Sequence, residues 1–282
     1  MLTWNLFNAE LLKARKMSIN IILIGIVSLL GLILLGGLTL MGLIYGNKYI
    51  GEPTTIFSYP SNLYSLALIT GAFSVLISIV YSANTMGTEY NRDTWKMILP
   101  RYGSRIAFLQ AKLSVALLMM LAYIGLTVVF WLSFNFICTL VLRIPWYSPP
   151  IDLMTEASPS YCAKSITITM IKMSFYGLST MLVAIAFRSV MGGVLAGIGL
   201  SIALNSVGVL PTKILVKLMP TVHIDNISAY WTKNPRAIEA MTDVFGQAIS
   251  PSISLGVVFG SMLIIISLMF YLFHRRDMAG LG

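Results

Sequence analysis

Charge is scarce in this sequence. Of 282 residues only 10% are Asp, Glu, Lys or Arg and 57% are hydrophobic, whereas an ordinary soluble domain carries about a quarter charged residues. So little charge does not make the surface of a soluble globule, and a polytopic membrane protein is what remains. Cysteine is nearly absent as well. Cys138 and Cys162 give no disulfide framework and no metal-ligand spacing, although a single bridge between them on the outer side stays open. There is no Gly-rich phosphate loop ending in Lys-Ser/Thr, so the chain does not hold ATP by that route. There is no His-Glu-x-x-His. His223 and His274 stand alone and read as surface or snorkelling groups. Every acid lies in a loop or at the end of an apolar run, so the mid-membrane carboxylates typical of ion-driven carriers are missing. The net charge of +9 gathers at the ends of apolar runs and forms no stripe, so nucleic acid is not an expected partner.

Long apolar runs are abundant. Six are expected to be membrane spans: residues 19–45, 63–83, 108–140, 165–187, 190–210 and 252–273. The third is longer than the roughly twenty residues a bilayer requires, which implies projection or tilt. Gly42 with Gly46, and Gly193 with Gly197, have the spacing that lets helices approach closely. Arg188-Ser189 leaves room only for a very tight turn between the fourth and fifth runs. Residues 211–251 read as an outer loop, with Ile214, Leu215 and Leu218 spaced for a short helix against the membrane.

Before the first run, residues 1–17 carry Trp4, Phe7, Leu11 and Ala14 on one helical face, with Lys13, Arg15 and Lys16 following. That pattern predicts an interfacial amphipathic helix anchored by Arg15 and Lys16. Six spans put both termini on one side. Eleven of the nineteen Lys and Arg residues fall on that side and eight on the other, where they are diluted over long loops. The termini are therefore expected to be cytoplasmic. Polar groups inside the runs are the candidates for a substrate path: Thr127, Ser133, Asn135, Lys172 and Asn205. Helix–helix hydrogen bonding is their plainer explanation. Lys172 is the least comfortable, because its charge is costly unless it snorkels or meets water.

The most informative stretch is the charged island around residues 84–107. Glu89-Tyr90, Arg92 and Asp93 close one helix, and Thr94 opens a short apolar one with Trp95 and Met97 that Pro100 stops. Ser104-Arg105 restarts the chain and Lys112 begins the next span. This run resembles the loop between the second and third spans of ABC-2-type permeases: Glu-Tyr, a polar turn, Thr, apolar residues, Pro, then Ser-Arg. Trp95 after the threonine, and a Tyr-Gly pair between Arg101 and Ser104, depart from that pattern and bear on which partner is recognised. The resemblance implies an all-α integral membrane fold of six transmembrane helices with an N-terminal interfacial helix, the type V exporter-like permease fold. In that reading residues 84–107 are a cytoplasmic coupling loop, with Glu89, Tyr90, Arg92, Asp93, Thr94, Trp95, Met97 and Arg105 meeting a separate ABC ATPase subunit. That partner, not this chain, would bind ATP and magnesium.

The resemblance further implies a second permease, identical or related, in a bacterial cytoplasmic membrane. The implied activity is export of an amphiphile, a peptide antibiotic or a lipid-like or drug-like compound, as in bacitracin-resistance and lantibiotic-immunity permeases. The alternatives are a non-transporting membrane subunit, a sensor or assembly factor, and an ion-coupled secondary carrier.

Overall fold

The computed structural model describes residues 2–45, 57–91, 105–141, 146–147, 158–206 and 217–275. Among them there are helices and no strand. In chain order these are α1 (Leu2–Arg15), α2 (Ser18–Tyr45), α3 (Ser61–Asn91), α4 (Arg105–Val141), α5 (Pro159–Phe187), α6 (Val190–Ser206), α7 (Pro220–Thr232), α8 (Pro235–Phe245) and α9 (Pro251–Arg275). Four of them have the length and apolarity to cross a bilayer: α3, the Arg105–Ile137 part of α4, α5, and the Pro251–His274 part of α9. The apolar α6 is shorter. The chain is thus an all-helical, multi-pass membrane protein.

The apolar windows of α3 and α5 are 53% and 56% buried, those of α4 and α9 only 33% and 22%. The first two are about half covered by protein, while the last two present more of their surface, including Val129, Phe136, Phe259 and Leu263, outward. In lipid an outward apolar side chain costs nothing, so packing has to come from shape and small residues. Gly193 and Gly197 of α6 supply it. A Cβ built on Gly197 would lie 2.7 Å from Thr180 Oγ1 and 2.8 Å from Ile79 Cγ2, and one on Gly193 would lie 2.9 Å from Ala184 Cβ. The expected glycine pair is therefore used inside the chain, where α6 meets α3 and α5.

Local signals set the helix ends. Arg188 takes a left-handed conformation (φ 53°) between α5 and α6, and Ser189 Oγ accepts from Gly192 N at 3.3 Å as an N-cap. Pro220 and Pro235 open α7 and α8, where a missing N–H costs nothing. Asn234 caps α8 by accepting from Ala237 N, and Gly246 closes it at φ 71°. Residues 211–251, expected as a loop with one short helix, contain these two well-formed helices; Ile214 and Leu215 lie outside the described residues. α7 packs along α9 and against α8.

Two compact units can be distinguished. One comprises Met1–Asn20, Val75–Met120 and Met170–Gly282, the other Ile21–Ser74 and Leu121–Thr169. The second has a core of Phe57, Leu66, Ile69, Trp131 and Cys162, and Trp131 Nε1 donates to Asn62 O at 3.3 Å. Cys162 is a free, buried thiol, so the bridge to Cys138 left open by the sequence is not formed.

Candidate functional site

In the first unit, α1, the C-terminal turns of α3 and the first turns of α4 meet around one lysine. Lys112 is fully buried. Its Nζ lies 2.9 Å from Glu10 Oε2, 3.1 Å from Glu89 Oε1 and 3.4 Å from the Thr85 carbonyl. It also sits 5.1 Å from the centroid of the Phe108 ring. Glu89 Oε1 is shared with Lys13 Nζ, the one half-exposed member of the group. Two acids and two bases make the cluster neutral, and every donor of the Lys112 ammonium meets an oxygen. Neutrality and full hydrogen bonding are what allow charges to sit away from water.

Helical spacing aims the four side chains. Glu10 and Lys13 are three apart on α1 and so share a face. Leu6, Glu10 and Ala14 form the buried stripe, at 1%, 8% and 3% exposure. Of the expected apolar face, Ala14 is buried, while Trp4 is 65% exposed and stacks on the half-buried Phe7, with ring centroids 5.6 Å apart. Leu11 is half-buried, and Arg15 and Lys16 are exposed. The end of α1 is fastened by the Asn20 side chain, whose Nδ2 donates to Ala14 O at 2.6 Å. This satisfies one of the carbonyls a helix terminus leaves open.

Glu89 was expected at a partner surface. The structure instead buries it to 1% exposure with its carboxylate turned towards Lys112 and Lys13. The physical reason is the pair of ammonium groups that α1 and α4 bring to it. Tyr90 is half-buried. Arg105 starts α4 and makes a long contact, 3.5 Å from Nη1 to His274 O, that brings the end of α9 to the same end of this unit. Arg92, Asp93, Thr94, Trp95 and Met97 lie outside the described residues.

Of the expected substrate-path residues, Thr127, Ser133 and Asn135 lie in the second unit and Lys172 and Asn205 in the first. Thr127 Oγ1 donates to Tyr123 O at 2.8 Å within its own helix. It also lines an apolar groove of about 290 Å³ in the second unit, between α2 and α4, with Ile24, Ser28, Leu126 and Phe130. Ser133 is exposed. Asn135 is 3% exposed and neither atom of its carboxamide has a partner. Asn205 lies in α6, and nothing is described of its side chain. Lys172 is neutralised by Asp225 of α7, Nζ to Oδ1 2.8 Å. His223, expected at a surface, is 2% exposed. Its ring nitrogens meet Ser254 Oγ at 3.0 Å and Lys217 O at 2.9 Å. Asn226 Nδ2 donates to the same Ser254 Oγ and to Ile249 O. Together they staple α7 to the first turn of α9. Among the described residues no group of His, Cys, Asp or Glu is placed to hold a metal.

Sequence reasoning missed Glu10 and the buried end of Lys112. The available signal was an acid three residues before Lys13 in a helix otherwise poor in acids, facing a lysine one turn inside an apolar run. No known family matches this chain, and no curated protein does.

Proposed function

We propose that the chain is the membrane-spanning permease subunit of an ATP-driven exporter of the ABC-2 type, moving an amphiphile outward with energy from a separate ATPase subunit. In this reading α2, α3, α4, α5, α6 and α9 are six spans, and both termini lie on the cytoplasmic side of a bacterial plasma membrane. A second permease, identical or related, completes the path. The single observation that carries the reading is the buried ionic cluster. Glu10 and Lys13 of α1, Glu89 at the end of α3 and Lys112 at the start of α4 are bonded into one body, and α3 and α4 are the two flanks of the 92–104 segment. A force applied to that segment would move α1 and both flanking helices together, as rigid-element alternating access requires. Glu89 then acts as a positioning residue that transmits the push, while Arg92, Asp93, Thr94, Trp95, Met97 and Arg105 make the partner contact. Arg15 and Lys16, exposed at the end of α1, rest on the membrane surface.

The test separates docking from transmission. Purification of the intact protein from native membranes in mild detergent should bring down a nucleotide-binding subunit. Asp93→Arg with Trp95→Ala should lose it. Glu89→Gln should keep the partner but lose substrate-stimulated ATP hydrolysis. If wild type brings down no ATPase, the exporter reading fails. If it does, yet no substrate class stimulates hydrolysis, the chain is a non-transporting subunit of such a complex.

A further inference from the structure

The Lys172–Asp225 pair is built differently from the Lys112 cluster. Lys172 lies near the middle of the apolar α5, a costly place for a charge, yet its side chain is 30% exposed and that of Asp225 44%. The pair is neutral but open. Among the described residues the Lys172 ammonium makes one hydrogen bond, to Asp225 Oδ1, which leaves two of its three N–H donors unused. Asp225 Oδ2 is likewise unengaged. One turn earlier on α7, on the face that carries Asp225, Thr221 is 2% exposed and its Oγ1 has no partner. A buried hydroxyl without a partner asks for an explanation. The position of Asp225 is fixed in advance, since His223 and Asn226 on either side of it are stapled to Ser254.

The pair thus offers unused donors and one unused carboxylate oxygen, and a buried hydroxyl without a partner stands one turn away on α7. Adding a net charge to a neutral pair in apolar surroundings is unfavourable, whereas a ligand that carries both signs adds none. We propose that Lys172, Thr221 and Asp225 form a binding site for a phosphoethanolamine-type zwitterion, supplied by the headgroup of a membrane lipid. The phosphate oxygens accept from Lys172 Nζ and Thr221 Oγ1, and the primary ammonium donates to Asp225 Oδ2. Leu218 and Ile253, both more than half exposed, border α7 and give the acyl chains an apolar surface. A choline headgroup has no N–H to donate to Asp225, and a phosphatidylglycerol headgroup brings net charge. The site does not depend on the transport reading.

The test uses the full-length protein in mild detergent, with phosphatidylethanolamine, phosphatidylcholine and phosphatidylglycerol of identical acyl chains added in competition and retained lipid read by native mass spectrometry. Wild type should retain the ethanolamine lipid about tenfold over the other two, the size expected for one lost bond to a charged group. Asp225→Ala should bring that ratio down towards one, whereas Lys172→Met and Thr221→Val should each lower retention of the ethanolamine and choline lipids together. Glycerophosphoethanolamine, the soluble phosphodiester with the same neutral headgroup, forms a second arm: competition by it at equal concentration assigns the site to a soluble zwitterion, and its failure beside lipid retention assigns it to lipid. Equal retention of ethanolamine and choline lipids by wild type, or preference for phosphatidylglycerol, overturns the proposal. That comparison needs no variant, so it decides even if Lys172→Met does not fold.

Discussion

Removing the Lys112 charge should be among the most damaging single changes available in this chain. Lys112→Met conserves most of the side-chain volume, so the cavity contribution is small and electrostatics decides. The change deletes the bonds at 2.9 Å to Glu10, 3.1 Å to Glu89 and 3.4 Å to Thr85 O. It leaves Glu10, 8% exposed, without the ammonium it is bonded to, while Glu89, 1% exposed, keeps Lys13. Removing one partner of a buried ion pair typically costs about 3–5 kcal/mol, because the remaining charge stays buried without compensation. A second substitution isolates that cause. In Lys112→Met with Glu10→Gln the cluster is neutral again, since Glu89 keeps Lys13. The double variant should recover about 2 kcal/mol relative to the sum of the two single costs. The assay is unfolding of the purified protein in mixed micelles with a rising fraction of denaturing detergent, run as a double-mutant cycle. Additive costs would show that Glu10 and Lys112 do not interact. A single-variant cost within about 0.5 kcal/mol, the size of an ordinary surface change, would refute the buried-charge reasoning altogether.

Two further outcomes follow from packing and from the α7 staple. Gly197→Val should destabilise by about 1–3 kcal/mol, because its Cβ would come within 2.7 Å of Thr180 Oγ1 and 2.8 Å of Ile79 Cγ2. Gly199→Val, with nothing within 4 Å of the added Cβ, is the matched control and should be near neutral in the same assay. Asn226→Leu removes two bonds, to Ser254 Oγ at 2.8 Å and Ile249 O at 3.1 Å. With about 1 kcal/mol net for each, it should loosen residues 233–250 by about 2 kcal/mol. Limited proteolysis there should accelerate while cleavage elsewhere stays unchanged.

Much of the helical layout was legible because lipid solvent makes it so. A long run such as residues 19–45 or 252–273 has to satisfy its own backbone, and only a helix does that within one segment. The tight turn at Arg188-Ser189 and the close approach at Gly193 and Gly197 were legible for the same local reason. What could not be read depends on partners distant in sequence. Glu10 and Lys112 are 102 positions apart and His223 and Ser254 are 31 apart. A window over residues 1–17 has no knowledge of Lys112, so it shows the apolar face carrying Trp4 but not the face of Leu6, Glu10 and Ala14 that is buried against protein. His223 failed in the same way: a lone histidine in a polar segment reads as wet, until Ser254 and the Lys217 carbonyl supply both ring nitrogens.

Lys112 and Lys172 show why composition alone underdetermines function in such a chain. Both stand on long apolar helices, and a hydropathy profile treats them alike. Lys112 is sealed, with two carboxylates, a carbonyl and an aromatic face taking up its charge. Such a charge has no route to exchange partners without exposing a bare ion, so it fixes geometry between three helices. Lys172 has one carboxylate and remains partly open, so it keeps donors for something else and the pair does not need to break when a ligand arrives. A rigid body at one end of the first unit and an adaptable polar site elsewhere in it are separate demands. The same residue type meets both only because the acids around it differ in number and burial: Glu10 and Glu89 enclose one lysine, while Asp225 merely neutralises the other.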